Sequence, residues 1–216
     1  PYTIKSMRRL FKSRKPVYLI LFLILVFAIS AVALLMNPTL SGEIPVIRHS
    51  TNTPSETKPQ KETYKWYGAP DEPKYINLPT ISAEGFVEKA GVDQNNQIAA
   101  PKNVHVAAWF VKSAKPGQQG LSVIDGHVTG RVNVGIFKNL QSLKPADKFS
   151  VTLGNGSVKN YQVVSVNNVP VAKSVDVLFS QEPNINSQLN LITCAGQYNQ
   201  AIKGYPDRTI VYAKLL

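Results

Sequence analysis

Cysteine is almost missing: Cys194 is the only one in 216 residues, which excludes an internal disulfide and any metal site built from several thiolates. Histidine is scarce as well, and His49, His105 and His127 lack the spacing of zinc ligands. No acidic cluster offers a calcium site, so neither a metal nor a cofactor is expected. No internal repeat is visible. Acidic residues are absent from the first 16 positions, which carry Lys5, Arg8, Arg9, Lys12, Arg14 and Lys15. This lopsidedness decides how the net charge of +11 should be read. Taking those six cations from +11 leaves +5 over the remaining two hundred residues, too dilute for a groove that tracks nucleic acid phosphates. With 15 Pro and 13 Gly, the chain is neither collagen-like nor wholly disordered.

What is present begins with a membrane signal. Residues 17–36 are apolar and uncharged, and twenty residues at about 1.5 Å each span the roughly 30 Å of a bilayer core. The basic segment 1–16 precedes them, and only Glu43 and Arg48 are charged in the next 16 positions. The positive-inside rule therefore makes 1–16 cytoplasmic and everything after the helix extracytoplasmic, at the plasma membrane. A cleaved signal peptide competes with this reading, because Ala31-Val32-Ala33 has the small-x-small form; the apolar run continuing through Leu34, Leu35 and Met36 favours a retained anchor. Residues 37–74 hold Pro38, Pro45, Pro54, Pro59, Pro70 and Pro73 among Ser, Thr, Lys and Glu. That composition reads as a flexible linker holding a domain off the membrane.

The domain, 75–216, is mainly β. Short β-branched stretches bounded by turn residues predict strands at 104–110, 121–124, 149–153, 161–166, 189–193 and 209–215. Asn155-Gly156 predicts a hairpin turn, since both residues tolerate positive φ. Two short helices are expected: 83–90, despite Gly85, and 136–143, where Ile136, Leu140 and Leu143 share a face. Many strands at about ten-residue spacing favour a closed barrel or a sandwich.

Three residues carry potential chemistry. Cys194 closes the strand Leu189-Asn190-Leu191-Ile192-Thr193-Cys194 and precedes Ala195-Gly196, so its thiol sits where a rigid scaffold presents reactive groups. A lone cysteine is more often a small buried hydrophobe, but an unpaired thiol kept in an oxidising compartment raises the reactive reading. His127 follows Asp125-Gly126 at the end of a strand, and Arg208 opens the last one behind Pro206-Asp207. Singly, each has an ordinary explanation: a hydrogen-bonded loop histidine and a surface cation.

Together they resemble the sortases, cysteine transpeptidases of bacterial cell surfaces. The residues that carry the likeness are Gly117 and Gly120 before Leu121-Ser122-Val123-Ile124-Asp125-Gly126-His127, then Gly135-Ile136-Phe137 and Leu140. Leu191-Ile192-Thr193-Cys194 and Tyr205-Pro206-Asp207-Arg208-Thr209-Ile210-Val211-Tyr212-Ala213 complete it. The tail Cys194-Ala195-Gly196 and the compact length look most like class F or the neighbouring classes D and E. The resemblance implies a closed eight-stranded sortase-type β-barrel with short helices. It also implies a thioacyl mechanism in which Cys194 attacks a sorting signal of the Leu-Pro-x-Thr-Gly kind. His127 then acts as acid and base, Arg208 stabilises the oxyanion, and Thr193 lines the substrate site. The implied partners are surface proteins bearing such a signal and an amine of a peptidoglycan stem peptide or a pilin lysine.

Proton arithmetic makes the competent enzyme a minority species, because ordinary pKa values near 8.5 and 6.5 leave about 3% of the thiol ionised and about a quarter of the imidazole charged at pH 7. Asp125 reads as turn chemistry, since the family works without an orienting carboxylate. The rival reading from another class is a non-catalytic, membrane-tethered β-domain that binds cell-wall material. A peptidoglycan enzyme of the L,D-transpeptidase kind is disfavoured, because its His and Cys lie close in sequence whereas 67 residues separate His127 from Cys194.

Overall fold

The computed structural model describes residues 53–216. The expected cytoplasmic segment, the membrane helix at 17–36 and the first part of the linker lie outside the described residues. No helix among the described residues is long and apolar enough to cross a membrane.

Eight strands are present: β1 (Pro73–Leu78), β2 (Ala83–Ala90), β3 (Ala107–Phe110), β4 (Gly120–Gly126), β5 (Lys148–Leu153), β6 (Val158–Pro170), β7 (Ser187–Ala195) and β8 (Asp207–Leu215). They close into a barrel in the order β1-β2-β3-β4-β7-β8-β6-β5. Two neighbouring pairs run parallel, β2 with β3 and β4 with β7. The α-helix among the described residues, α1 (Val171–Leu178), lies in the crossover from β6 to β7.

Side chains alternate across each strand, and the strands of the later site show this cleanly. Ile124 of β4, Leu189 and Leu191 of β7, and Val211 and Ala213 of β8 face the barrel interior. Val123, Ile192, Ile210 and Tyr212 face outward into a second cluster with Phe110 and Leu178. Each fully buried aliphatic or aromatic side chain contributes about 1.5–3 kcal/mol of transfer free energy. The helix α1 is held over this outer face by polar contacts as well. Asn190 donates from Nδ2 to the Leu178 carbonyl at 2.7 Å, Gln188 donates to the Ser180 carbonyl at 3.0 Å, and the Tyr212 hydroxyl donates to the Val177 carbonyl.

Three expectations need correction. Residues 83–90 form a strand, not a helix: β2 pairs with β1 on one side and β3 on the other, and two ladders outweigh the helical propensity of its Ala, Glu and Lys. A Cβ at Gly85 would lie 2.5 Å from the His105 carbonyl oxygen, so glycine permits that close approach. In 136–143 only a 3₁₀ turn at Leu140–Ser142 forms, while Ile136, Phe137, Leu140 and Leu143 all enter the interior cluster. The strand expected at 104–110 is shortened to Ala107–Phe110, because Asn103 draws the preceding residues into a turn through Val106 N–H to its carbonyl and His105 N–H to its side chain. The Asn155-Gly156 hairpin is present between β5 and β6, with Gly156 at φ 86°.

The described part of the expected linker does not stand away from the domain. It runs along the barrel as a strap, and the first strand already begins at Pro73. Trp66 donates from Nε1 to the Val87 carbonyl at 2.9 Å, and Tyr64 stacks on Phe86 with ring centroids 4.0 Å apart. Lys61 pairs with Glu84 at 3.2 Å. Two aromatic anchors supply the apolar contact that a Pro-, Lys- and Glu-rich composition conceals.

Candidate active site

Because β4 and β7 are parallel neighbours, their C-terminal ends reach the same edge of the barrel. His127 leaves the end of β4 directly, and Cys194 is the penultimate residue of β7. The register pairs Asp125 with Ile192, which sets position 127 level with Cys194 two residues further on. β8 runs antiparallel to β7 and places Arg208 opposite Cys194. Residues 67 apart in sequence thus meet at one rim because their strands share a ladder.

Cys194 is a free, half-buried thiol of the same strand parity as the outward-facing Ile192. It therefore heads the outer face whose floor is Val123, Ile192 and Ile210. Burial pushes its pKa up, and Asp125 pushes it further in the same direction, while the Arg208 guanidinium pulls it down. Arg208 donates from Nη1 to the carbonyls of Asp207 at 2.8 Å and Tyr205 at 3.2 Å. A guanidinium has five N–H donors, so this anchoring leaves others for a ligand. His127 donates from Nε2 to the Pro101 carbonyl at 2.7 Å; a carbonyl only accepts, so Nε2 carries a proton and Nδ1 is left as the acceptor of the neutral ring. The Phe137 N–H donates to the His127 carbonyl at 3.0 Å and fixes the backbone beneath the ring.

Residues 76–216 match the family model of the sortase domain. The chain belongs to the sortase family. Among solved structures it is similar to sortase A from Corynebacterium diphtheriae, with 27% identity and a TM-score of 0.49 over 67% of this chain and 60% of that one. The lid mutant of the same protein gives 28% identity and a TM-score of 0.51 over 67% and 69% of the two chains. The pilus-related sortase C of Group B Streptococcus shares the fold, at 19% identity and a TM-score of 0.50 over 75% and 79%. The chain thus spans 60% of the first of these relatives. Nothing matches among curated protein sequences.

Three features of this sortase's site were not anticipated from the sequence. Thr193 was expected to line the substrate site, but it is 2% exposed and its hydroxyl donates to the Gly126 carbonyl at 2.7 Å. Strand alternation turns it inward while Cys194 turns outward, so Thr193 ties the end of β4 to the end of β7. Asp125 does accept its own turn's Gly126 N–H, at 2.7 Å, but it is also a member of the site. Its parity is that of Val123, so it projects onto the outer face; burial raises its pKa, while His127, the Gly126 N–H and Arg208 pull it down. Tyr205 is the third: burial first, then the neighbouring Cys194 and Tyr198, raise its phenol pKa, and its ring meets Tyr198 edge-on at 5.4 Å. Counting strand parity outward from Val123 would have found Asp125; Tyr205 opens the motif that carries the likeness, but nothing local marks its nearness to Cys194.

Proposed function

We propose that this sortase is a membrane-anchored cysteine transpeptidase acting on proteins that carry a Leu-Pro-x-Thr-Gly-like sorting signal. The observation that supports this most is the seam of β4, β7 and β8, which gathers the thiol, the imidazole and the guanidinium at one end of an outward-facing apolar floor. The Cys194 thiolate attacks the scissile carbonyl carbon, and Arg208 N–H groups stabilise the oxyanion. The carbon–nitrogen bond then breaks as the His127 imidazolium gives its proton to the departing amine, leaving a thioester. A second amine, from a peptidoglycan stem peptide or a pilin lysine, attacks that thioester; His127 takes its proton, and the thiolate departs. Since Nε2 is engaged by Pro101, Nδ1 is the nitrogen that exchanges protons with substrate. Burial lowers the thiolate fraction below the few per cent of an ordinary cysteine at pH 7, so the reactive ion pair is a minority form at neutral pH.

The anchor is residues 17–36, with 1–16 cytoplasmic and the barrel extracytoplasmic. The motif tail after Cys194 supports a reading as class F or the neighbouring classes D and E. The test is to incubate the full chain in detergent with a fluorescent sorting peptide, with and without an amine acceptor. A thioester adduct on Cys194, seen by mass spectrometry, and amine-dependent product are expected; Cys194→Ala abolishes both while leaving the circular dichroism spectrum intact. Joining that survives Cys194→Ala overturns the mechanism, and peptide binding without joining leaves the tethered binding domain as the function.

A further inference from the structure

Among the described residues, the upstream strap meets the barrel beside the segment that holds His127. Ser55 donates its N–H to the Lys102 carbonyl at 2.8 Å and accepts the Val104 N–H at 2.9 Å, adding a short parallel bridge to the segment that holds Pro101. Asn103 donates from Nδ2 to the Thr57 carbonyl at 2.8 Å, and Glu88 of β2 accepts the Lys102 N–H at 2.8 Å. On its other side the strap reaches the loop that follows His127. The Glu56 carboxylate accepts the N–H groups of Arg131 at 2.6 Å, Val132 at 3.0 Å and Asn133 at 2.7 Å. Contact with the loop pushes the Glu56 pKa up, but those N–H groups outweigh it and hold the carboxyl below its ordinary range. The Glu56 carbonyl accepts from His105 Nε2 at 3.1 Å and from Asn133 Nδ2 at 3.3 Å. Gly130 admits the carboxylate, since a Cβ there would lie 2.7 Å from Glu56 Cδ.

We propose that residues 55–57, with Glu56 at their centre, are a positioning element for His127. This rests on the reading of His127 as the proton carrier. The ring is fixed at two points, by the Pro101 carbonyl at Nε2 and by the backbone entering the 128–135 loop, and the strap binds both sides. A carboxylate answering three converging N–H groups is a stronger clamp than three neutral bonds, because charge-assisted hydrogen bonds are roughly twice as strong. Releasing it frees the loop to shift, and a shift of about 1 Å in a reacting group can cost on the order of a hundredfold in rate. The strap so makes proton delivery depend on a segment far upstream of the catalytic residues in sequence.

The experiment compares the wild-type full chain with Glu56→Gln and Glu56→Ala on two substrates: an amide sorting peptide, and an ester analogue whose oxygen leaving group departs without needing protonation. Expected for both variants is a fall in the single-turnover acylation rate of about tenfold or more on the amide, with peptide affinity little changed. On the ester, read in the same acylation step before the amine that also needs His127 arrives, the fall should be less than about threefold. The ¹⁵N chemical shifts of the His127 ring should move from the Nε2-protonated pattern toward tautomer averaging. Gly130→Ala, which crowds the carboxylate from the opposite side, should reproduce the amide-selective loss and serves if Glu56→Ala fails to fold. Equal losses on amide and ester, or full activity with an unchanged His127 spectrum, overturn the proposal. His127→Ala in the same assay separates the two readings: if it keeps amide activity, the proton-carrier role itself fails. If it is inactive while both Glu56 variants are fully active, only the positioning role fails.

Discussion

Replacing Thr193 by Val removes one hydroxyl and changes almost nothing in shape. The lost group is the donor of the 2.7 Å bond to the Gly126 carbonyl, inside a position that is 2% exposed. A net hydrogen bond contributes about 0.5–1.5 kcal/mol, and a buried acceptor left without its partner costs about 1–3 kcal/mol, so a loss near 2 kcal/mol is expected. For a folded unit of this size that lowers the thermal midpoint by about 4–8 °C. The catalytic consequence should be larger. The bond joins the residue before His127 to the residue before Cys194, and no other side-chain bond spans that gap among the described residues. Assayed about 20 °C below its midpoint, where essentially all the protein is folded, Thr193→Val should lose about ten- to a hundredfold in kcat/KM. Thr193→Ser, which keeps the hydroxyl, should recover most of it. If Thr193→Val melts earlier but joins peptides at the wild-type rate, the cross-tie does not set the spacing between thiol and imidazole.

Asp125→Asn keeps the acceptor for the Gly126 N–H and removes the charge. A carboxyl whose folded pKa lies above its unfolded value near 3.9 penalises the folded state once the pH passes that value, and the penalty grows until the folded pKa is passed. The variant should therefore melt at or above the wild-type temperature at pH 7, the gap closing near pH 4 and below, and its Cys194 alkylation curve should shift to lower pH. A lower midpoint, or a curve shifted upward, contradicts this. Gly135→Ala sets a methyl against the His127 carbonyl, so it should cost more than about 2 kcal/mol in thermal denaturation and abolish most joining. Wild-type melting would show that the 128–135 loop yields freely.

The strands that build the site were legible because their chemistry is local. β7 and β8 carry short runs rich in branched and apolar residues, buried on both faces over 188–193 and 209–213, and the Asn155-Gly156 turn announces the β5–β6 hairpin. β2 was not legible, since Ala, Glu and Lys favour a helix until two neighbouring strands claim its backbone. The strap was hidden for a similar reason: its hold on the barrel rests on Tyr64, Trp66 and Glu56, three residues among many polar ones, whose partners lie 21 or more positions away. Cys194, His127 and Arg208 could be picked out by their strand-end positions. The inward turn of Thr193 was not legible, because proximity in sequence to the thiol says nothing about which face of the sheet a side chain takes.

The parallel ladder between β4 and β7 has a further consequence. Thiol and imidazole are adjacent through a seam of backbone bonds, whereas the chain between them makes a long excursion through β5, β6 and α1 before returning. Reshaping the part of that excursion beyond the 128–135 loop, above all the crossover that carries α1 over the outer face, alters that face and leaves the β4–β7 ladder in place. The outer face and the seam of reacting groups are therefore separable in this barrel, the first free to drift while the second stays put.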